Sequence, residues 1–292
     1  MQEAVNAVAL MNLSRCIAVV TAGVAALAAA VLPCAAMAQS VALVTDRTGV
    51  VSTVQPGRTS VVAVLAELPV GARLQLQASS SLTLLYLQSG DEYTLTGPGE
   101  CELKAAGPAF DAAKLRRRTT EIAAPVKIRV DNVTLGGVVM RSATPRPLFP
   151  VGLVLERPDQ LAWNSLLSEA RFLVELRGAS GPLLLEQPVV GLGLPLPPDL
   201  QLEAGKQYAW SVRLADSDDG TPVTVAAFEM ASDEMRTQAL RRMPPPTATF
   251  GERVLYALWL EQVGAVGEAR QWWATLAKER PDEAAMLARS RR

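Results

Sequence analysis

Leu82-Thr83-Leu84-Leu85-Tyr86-Leu87, Ser89-Gly90-Asp91 and Tyr93-Thr94-Leu95-Thr96 follow one another in the middle of the first half of the chain. Two short runs rich in Leu, Thr and Tyr flank a Ser-Gly-Asp punctuation, which reads as a hairpin of two strands. Glycine supplies the positive φ that such a reversal needs, and Ser and Asp bond their own backbone nearby. Working outward, the same rhythm recurs upstream in Val61–Leu65, in Leu68–Arg73 and in Leu74-Gln75-Leu76-Gln77. Downstream, Gly97-Pro98-Gly99 turns the chain into Glu100-Cys101-Glu102-Leu103, whose alternation places Cys101 on the inward face of a strand. Strands of this length and spacing predict a small all-β domain over residues 39–140.

The order of these pieces resembles the periplasmic FecR-like domain. Leu68 to Leu74, Leu82 to Leu87, Ser89-Gly90-Asp91, Tyr93 to Leu95 and Gly97-Pro98-Gly99 before Leu103 carry the likeness. In that family the domain is a non-catalytic β-module of envelope signalling proteins. Those regulators usually also carry a cytoplasmic segment and a membrane anchor. Neither is apparent here, so the resemblance does not extend to a cytoplasmic sigma-factor partner.

Residues 150–230 predict a second β unit. Leu161-Ala162-Trp163 precedes Ala170–Leu176, where Phe172, Val174 and Leu176 share one face. Gly205–Leu214 alternates Tyr208 and Trp210 with small or polar residues, Asp218-Asp219-Gly220 turns the chain, and Val223–Met230 closes the unit. This succession looks like a fibronectin type III or related immunoglobulin-like sandwich. Trp163 and Trp210 would then be core aromatics, and sugar-stacking platforms only if exposed. Asp216–Gly220 departs from a calcium loop, because glycine stands fifth rather than sixth and Ala227 occupies the twelfth position. A hairpin turn is the simpler reading. Gly191-Leu192-Gly193 lacks the third glycine and the strand-to-helix setting of a dinucleotide loop.

Residues 232–292 predict helices. Ser232 is a cap, Asp233 and Glu234 open the first turn, and Arg241 and Arg242 close the last, all matching the helix dipole. Pro244-Pro245-Pro246 stops that helix, and further helices are expected over Gly251–Val263, Val266–Glu279 and from Asp282 to Ala288. Tyr256-Ala257, Leu260, Gly264, Ala269, Trp273, Leu276 and Pro281 resemble one tetratricopeptide (TPR) repeat, over a span of about 34 residues. Arg253 stands where the family often has tryptophan. A single repeat cannot bury its own apolar surface. Trp273 belongs inside the repeat, so Trp272 points elsewhere: toward a partner, the sandwich, or the helix of residues 233–242. Arg253 and Trp272 are therefore the candidate partner-contact residues.

The N-terminus reads as an export signal over residues 1–38. Arg15 precedes the apolar run Ile17–Leu32, and Ala36-Met37-Ala38 is a small-residue cleavage site. The run is short and alanine-rich against the roughly 20 residues of a membrane span. Translation from Met1 or from Met11 would serve the signal equally. Cleavage near Ala38 places the mature chain in the periplasm or outside the cell. Two of the three cysteines, Cys16 and Cys34, fall in this leader, leaving Cys101 without an intramolecular disulfide partner. Val31-Leu32-Pro33-Cys34 loosely resembles a lipobox, but Pro33 fits that pattern poorly and the cleavage site fits better. Membrane association would need a partner protein or lipidation at Cys34.

The formal net charge is −1 and basic residues are scattered, unlike a nucleic-acid-binding face. Lys114–Arg118 is the most basic stretch and reads as a solvated linker or loop, with contact to an anionic surface as the alternative. There is no histidine, which removes the commonest general base and zinc ligand. No nucleophile motif or spaced carboxylate constellation appears. The expectation is thus a mainly β protein with a C-terminal α segment: a small FecR-like β-domain, a β-sandwich, then a helical hairpin. Its function would be that of a non-catalytic envelope scaffold that uses no cofactor, holds no metal and binds an unidentified envelope protein. The alternative is an envelope glycan or peptidoglycan-binding module.

Overall fold

A computed structural model describes residues 39–55, 57–119, 144–178, 181–216 and 224–291. The leader lies outside the described residues, as does the Asp216–Gly220 turn beyond Asp216. Gln39–Arg292 forms one compact unit, mainly β with a C-terminal α segment.

The first two sheets come from residues 40–119. One takes β1 (Ser40–Thr48), β4 (Glu67–Pro69), β6 (Ser81–Tyr86), β7 (Asp91–Thr96) and β10 (Leu115–Thr119), in the order β10-β7-β6-β1-β4. The other takes β2 (Val51–Gln55), β3 (Arg58–Val61), β5 (Arg73–Leu76), β8 (Gly99–Lys104) and β9 (Gly107–Ala109), in the order β3-β2-β5-β8-β9. All their pairings are antiparallel. The quoted hairpin is β6–β7, registered with Leu82 opposite Leu95 and Leu84 opposite Tyr93. Ala42, Val44, Leu82, Leu84 and Tyr86 meet Leu74, Leu76, Cys101 and Leu103 in one core between the two sheets. Cys101 is buried and unpaired, and burial pushes its thiol pKa up to about 12.

Lys114–Arg118 is not a linker. Lys114 ends a 3-10 turn, and the arginines lie in edge strand β10. Arg117 pairs with Asp91 at 2.8 Å, while Arg118 reaches both Glu92 and Glu252. Local carboxylates thus neutralise two of the charges that the run carries.

The next two sheets come from residues 146–230. β11 (Arg146–Phe149), β13 (Gln160–Asn164) and β16 (Gly193–Pro195) form the smaller, ordered β11-β13-β16. β12 (Gly152–Val154), β14 (Arg171–Gly178), β15 (Leu183–Val190), β17 (Gln207–Leu214) and β18 (Thr224–Met230) form the larger, ordered β12-β18-β17-β14-β15. Only the β12–β18 pairing is parallel among these described strands. Phe172, Val174 and Leu176 face inward together, with Trp163, Tyr208, Trp210 and Phe228 completing the core. Trp210 Nε1–H donates to the Pro150 carbonyl at 2.8 Å, which ties the sandwich core to the link between β11 and β12.

Four helices follow: α1 (Asp233–Arg242), α2 (Phe250–Val263), α3 (Val266–Glu279) and α4 (Ala284–Ser290). Ser232 caps α1 by accepting from the Met235 N–H. Thr249 and Glu252 form a reciprocal capping box that starts α2, and Gly264 ends it in the left-handed conformation. The helices do not stand off as a separate hairpin. Residues of α2 and α3 share one core with Leu43 of β1, Leu85 of β6, and Val64 and Leu65 of the β3–β4 link. The sheet containing β1 and β6 is therefore a middle layer, with the second sheet on one face and α2 on the other. α2 is apolar around most of its circumference because it is buried on most sides.

Candidate interaction surface

The helices meet the middle sheet through an apolar centre and a charged rim. Glu283, just before α4, is buried, yet its carboxylate is fully engaged. One oxygen accepts from the Val64 N–H at 3.0 Å, and the other pairs with Arg47 at 2.8 Å. Arg280 pairs with Asp46 and lies 4.5 Å from the Phe250 ring centroid. Arg118 closes the rim from β10 onto Glu252. Low-exposure apolar residues inside a ring of ion pairs resemble a protein–protein interface formed within one chain.

Arg253 belongs to this arrangement. Its Nη2–H donates to Glu279 at 2.8 Å, holding the Glu279 carboxyl below the usual range, and its guanidinium stacks near Phe250. Trp272 is half-buried and meets Tyr256 of α2 edge-to-face at 5.1 Å, so it packs on its own helix pair. Arg242 of α1 covers a different tryptophan, Trp259, at 5.3 Å. Trp273 is fully buried, with its Nε1–H donated to Glu261 at 2.9 Å. Arg253 and Trp272 lie in the same helical segment, but each has a partner inside the chain.

The tryptophans of the sandwich offer no platform for a sugar. Trp163 and Trp210 are each 1% exposed. An open cleft of about 380 Å³ lies over the outer face of the β3-β2-β5-β8-β9 sheet, lined by Val54, Arg73, Gln75, Glu100, Glu102 and Ala109. Its residues are strand neighbours, with Arg73 opposite Glu102 and Gln75 opposite Glu100. Among the described residues, no group of three or more Cys, Asp or Glu side chains is placed to hold a metal ion. No described helix is long and apolar enough to cross a membrane.

Apolar side chains that face solvent on a regular element are the feature that the sequence reading passed over. Leu240 and Met243 stand three residues apart at the C-terminal end of α1, 66% and 47% exposed. Met235 and Ala239 of the same helix pack into the shared core. Helical counting sets Leu240 roughly 100° or more around the axis from Met235 and Ala239, which marks Leu240 as outward-facing. No protein-family model matches the chain, and no curated protein is similar to it.

Proposed function

We propose that the chain is a non-catalytic cell-envelope scaffold that acts through protein–protein contacts, exported by its leader and working in the periplasm or outside the cell. In this reading it is built from a FecR-like β-domain, a fibronectin-like sandwich and a TPR-like helical segment. The observation that carries the reading is the exposed Leu240–Met243 pair at the C-terminal end of α1, a helix that Met235 and Ala239 anchor in the core. Exposed apolar anchors on a helix are a common docking mode. Holding them on a rigid element lowers the ordering cost of association. The partner surface thus moves from Arg253 and Trp272 to the exposed end of α1.

The test is affinity isolation from envelope extracts with tagged mature chain, comparing wild type with Leu240→Asp/Met243→Asp. Both substitutions are at exposed positions, so the fold is expected to survive, and circular dichroism checks that it does. A protein recovered with wild type and lost with the double variant supports the scaffold reading at this surface. Equal recovery removes α1 from the argument. No recovered protein at all overturns the scaffold reading and turns attention to glycans.

A further inference from the structure

Among the described strands, most sheet edges carry a device against pairing with another chain. β4, β9, β11, β15 and β16 each contain a proline, and β10 carries a run of arginines. β12 has no proline, but its Leu153 N–H is already taken by the Gly264 carbonyl at 2.8 Å. β3 has neither device. It is the outermost strand of the β3-β2-β5-β8-β9 sheet, it reads Arg58-Thr59-Ser60-Val61, and all of it is exposed. Its guard is shortness, which limits pairing between whole sheets but leaves room for one short extended segment.

The register shows which backbone groups are open. Val62 N–H donates to the Val51 carbonyl at 2.9 Å, so Val62 faces β2. By alternation Ser60 and Arg58, opposite Thr53 and Gln55, face β2 as well. Thr59 and Val61 therefore turn their backbones to the free edge, and each offers a donor and an acceptor there. Their side chains lie on the outer face of the sheet, where Val54 stands directly opposite Thr59. Val54 and Val61 are 41% and 63% exposed, a small apolar patch beside the open edge. Arg58 and Ser60 project from the other side, where the Ser60 hydroxyl meets that of Thr53 at 2.8 Å. Among the described residues Arg58 pairs with no carboxylate.

We propose that β3 docks an extended segment of a partner protein, which joins the sheet as an added antiparallel strand. Every pairing in this sheet is antiparallel, and main-chain bonds to an edge supply the affinity in such docking. Partner residues opposite Val61 and Thr59 would share the outer face, where β-branched apolar side chains extend the Val54–Val61 patch. The residue opposite Arg58 would lie on the other side, where a carboxylate meets the unpaired guanidinium. The partner segment thus reads apolar, polar, apolar, acidic, in that order along its chain. This surface is separate from the exposed end of α1 and does not depend on it.

The test is fluorescence anisotropy of a labelled, end-capped peptide containing Val-Thr-Val-Glu, titrated with the purified protein. Thr59→Pro removes one outward N–H and leaves the bonds to β2 in place, so binding is expected to weaken by about tenfold. Arg58→Glu is expected to weaken binding by a similar factor and to regain it when lysine replaces the glutamate of the peptide. A merely structural role for Arg58 would give no such exchange. Amide hydrogen exchange should show Thr59 and Val61 protected by the peptide, and Ser60, already bonded to β2, unchanged. Leu240→Asp/Met243→Asp should bind the peptide as wild type does, which separates this surface from α1. The proposal is overturned if wild type does not bind the peptide or if Thr59→Pro binds it as wild type does. It is overturned equally if sedimentation shows a dimer that Thr59→Pro abolishes, since a second copy would then occupy the edge.

Discussion

At the scale of single residues, a buried and a half-buried carboxylate at the helical junction behave in opposite ways. Glu283 has a donor for each oxygen, from the Val64 N–H and from Arg47. Glu283→Ala would leave the buried Val64 N–H without an acceptor and Arg47 with only Asp282 and the Gly49 carbonyl. Losing one member of a buried pair costs about 3–5 kcal/mol, toward the low end here because Arg47 keeps some solvent. Thermal denaturation should show a melting point lower by several degrees, and an unchanged value would mean the clasp is not part of the fold's stability. Glu268 is the contrary case. One oxygen accepts from the Leu155 N–H at 2.8 Å, while the other is buried with no donor. Burial, and then the neighbouring Glu156, raise its pKa above the ordinary value. A raised folded-state pKa means stability that is full below the unfolded pKa and is lost as pH rises through the folded one. Glu268→Gln keeps the acceptor and removes the charge. It should raise the melting point near neutral pH and flatten that loss on the alkaline side of the ordinary glutamate value, as read from unfolding curves across pH.

At the scale of elements, the free sheet edges are guarded. Pro69, Pro108, Pro147, Pro188 and Pro195 each lie in an edge strand, and β10 carries its arginines there. Proline cannot donate to a new strand, and charge disfavours pairing. β15 is the longest such edge, with Leu183, Leu184 and Val190 exposed. The Arg171 carbonyl bonds Ala215 N–H on the β17 side, so by alternation Phe172, Val174 and Leu176 face β15. Pro188, opposite Leu173, therefore points its nitrogen at the open edge. Pro188→Thr would restore a donor in the middle of that edge. Light scattering should show self-association that wild type lacks, and a strictly monodisperse variant would show that another feature guards β15. The close fit of β12 to the helices has a similar local origin. Gly152 has φ +69°, and a Cβ there would stand 2.5 Å from the Gly264 carbonyl oxygen, whose neighbouring contact is the Leu153 N–H bond of 2.8 Å.

At the scale of the whole molecule, α2 and α3 complete the middle sheet instead of extending away from it. Removing residues 249–292 would bare Leu43, Leu85, Val64 and Leu65 and leave Arg47 without Glu283. The shortened chain should be insoluble or lack a cooperative melt, and a soluble, sharply melting product would show that the β layers fold without the helices. Much of this molecule was legible in its sequence because the deciding forces are local. The Ser-Gly-Asp turn joins β6 to β7, period-two alternation sets the inward residues of β14 and β17, and Ser232 and Gly264 mark helix ends. Each rests on backbone conformation or on which side of one element is apolar. Burial is nearly continuous along β6, so its second face is covered, since a half-solvated strand would alternate. What covers that face was not legible. Tertiary structure alone decided that α2 is the cover, that Glu283 returns to Val64 and Arg47, and that Arg270 reaches the Leu148 carbonyl. Those contacts join residues far apart in the chain, and apolar packing, being non-directional, leaves no local mark that names the partner.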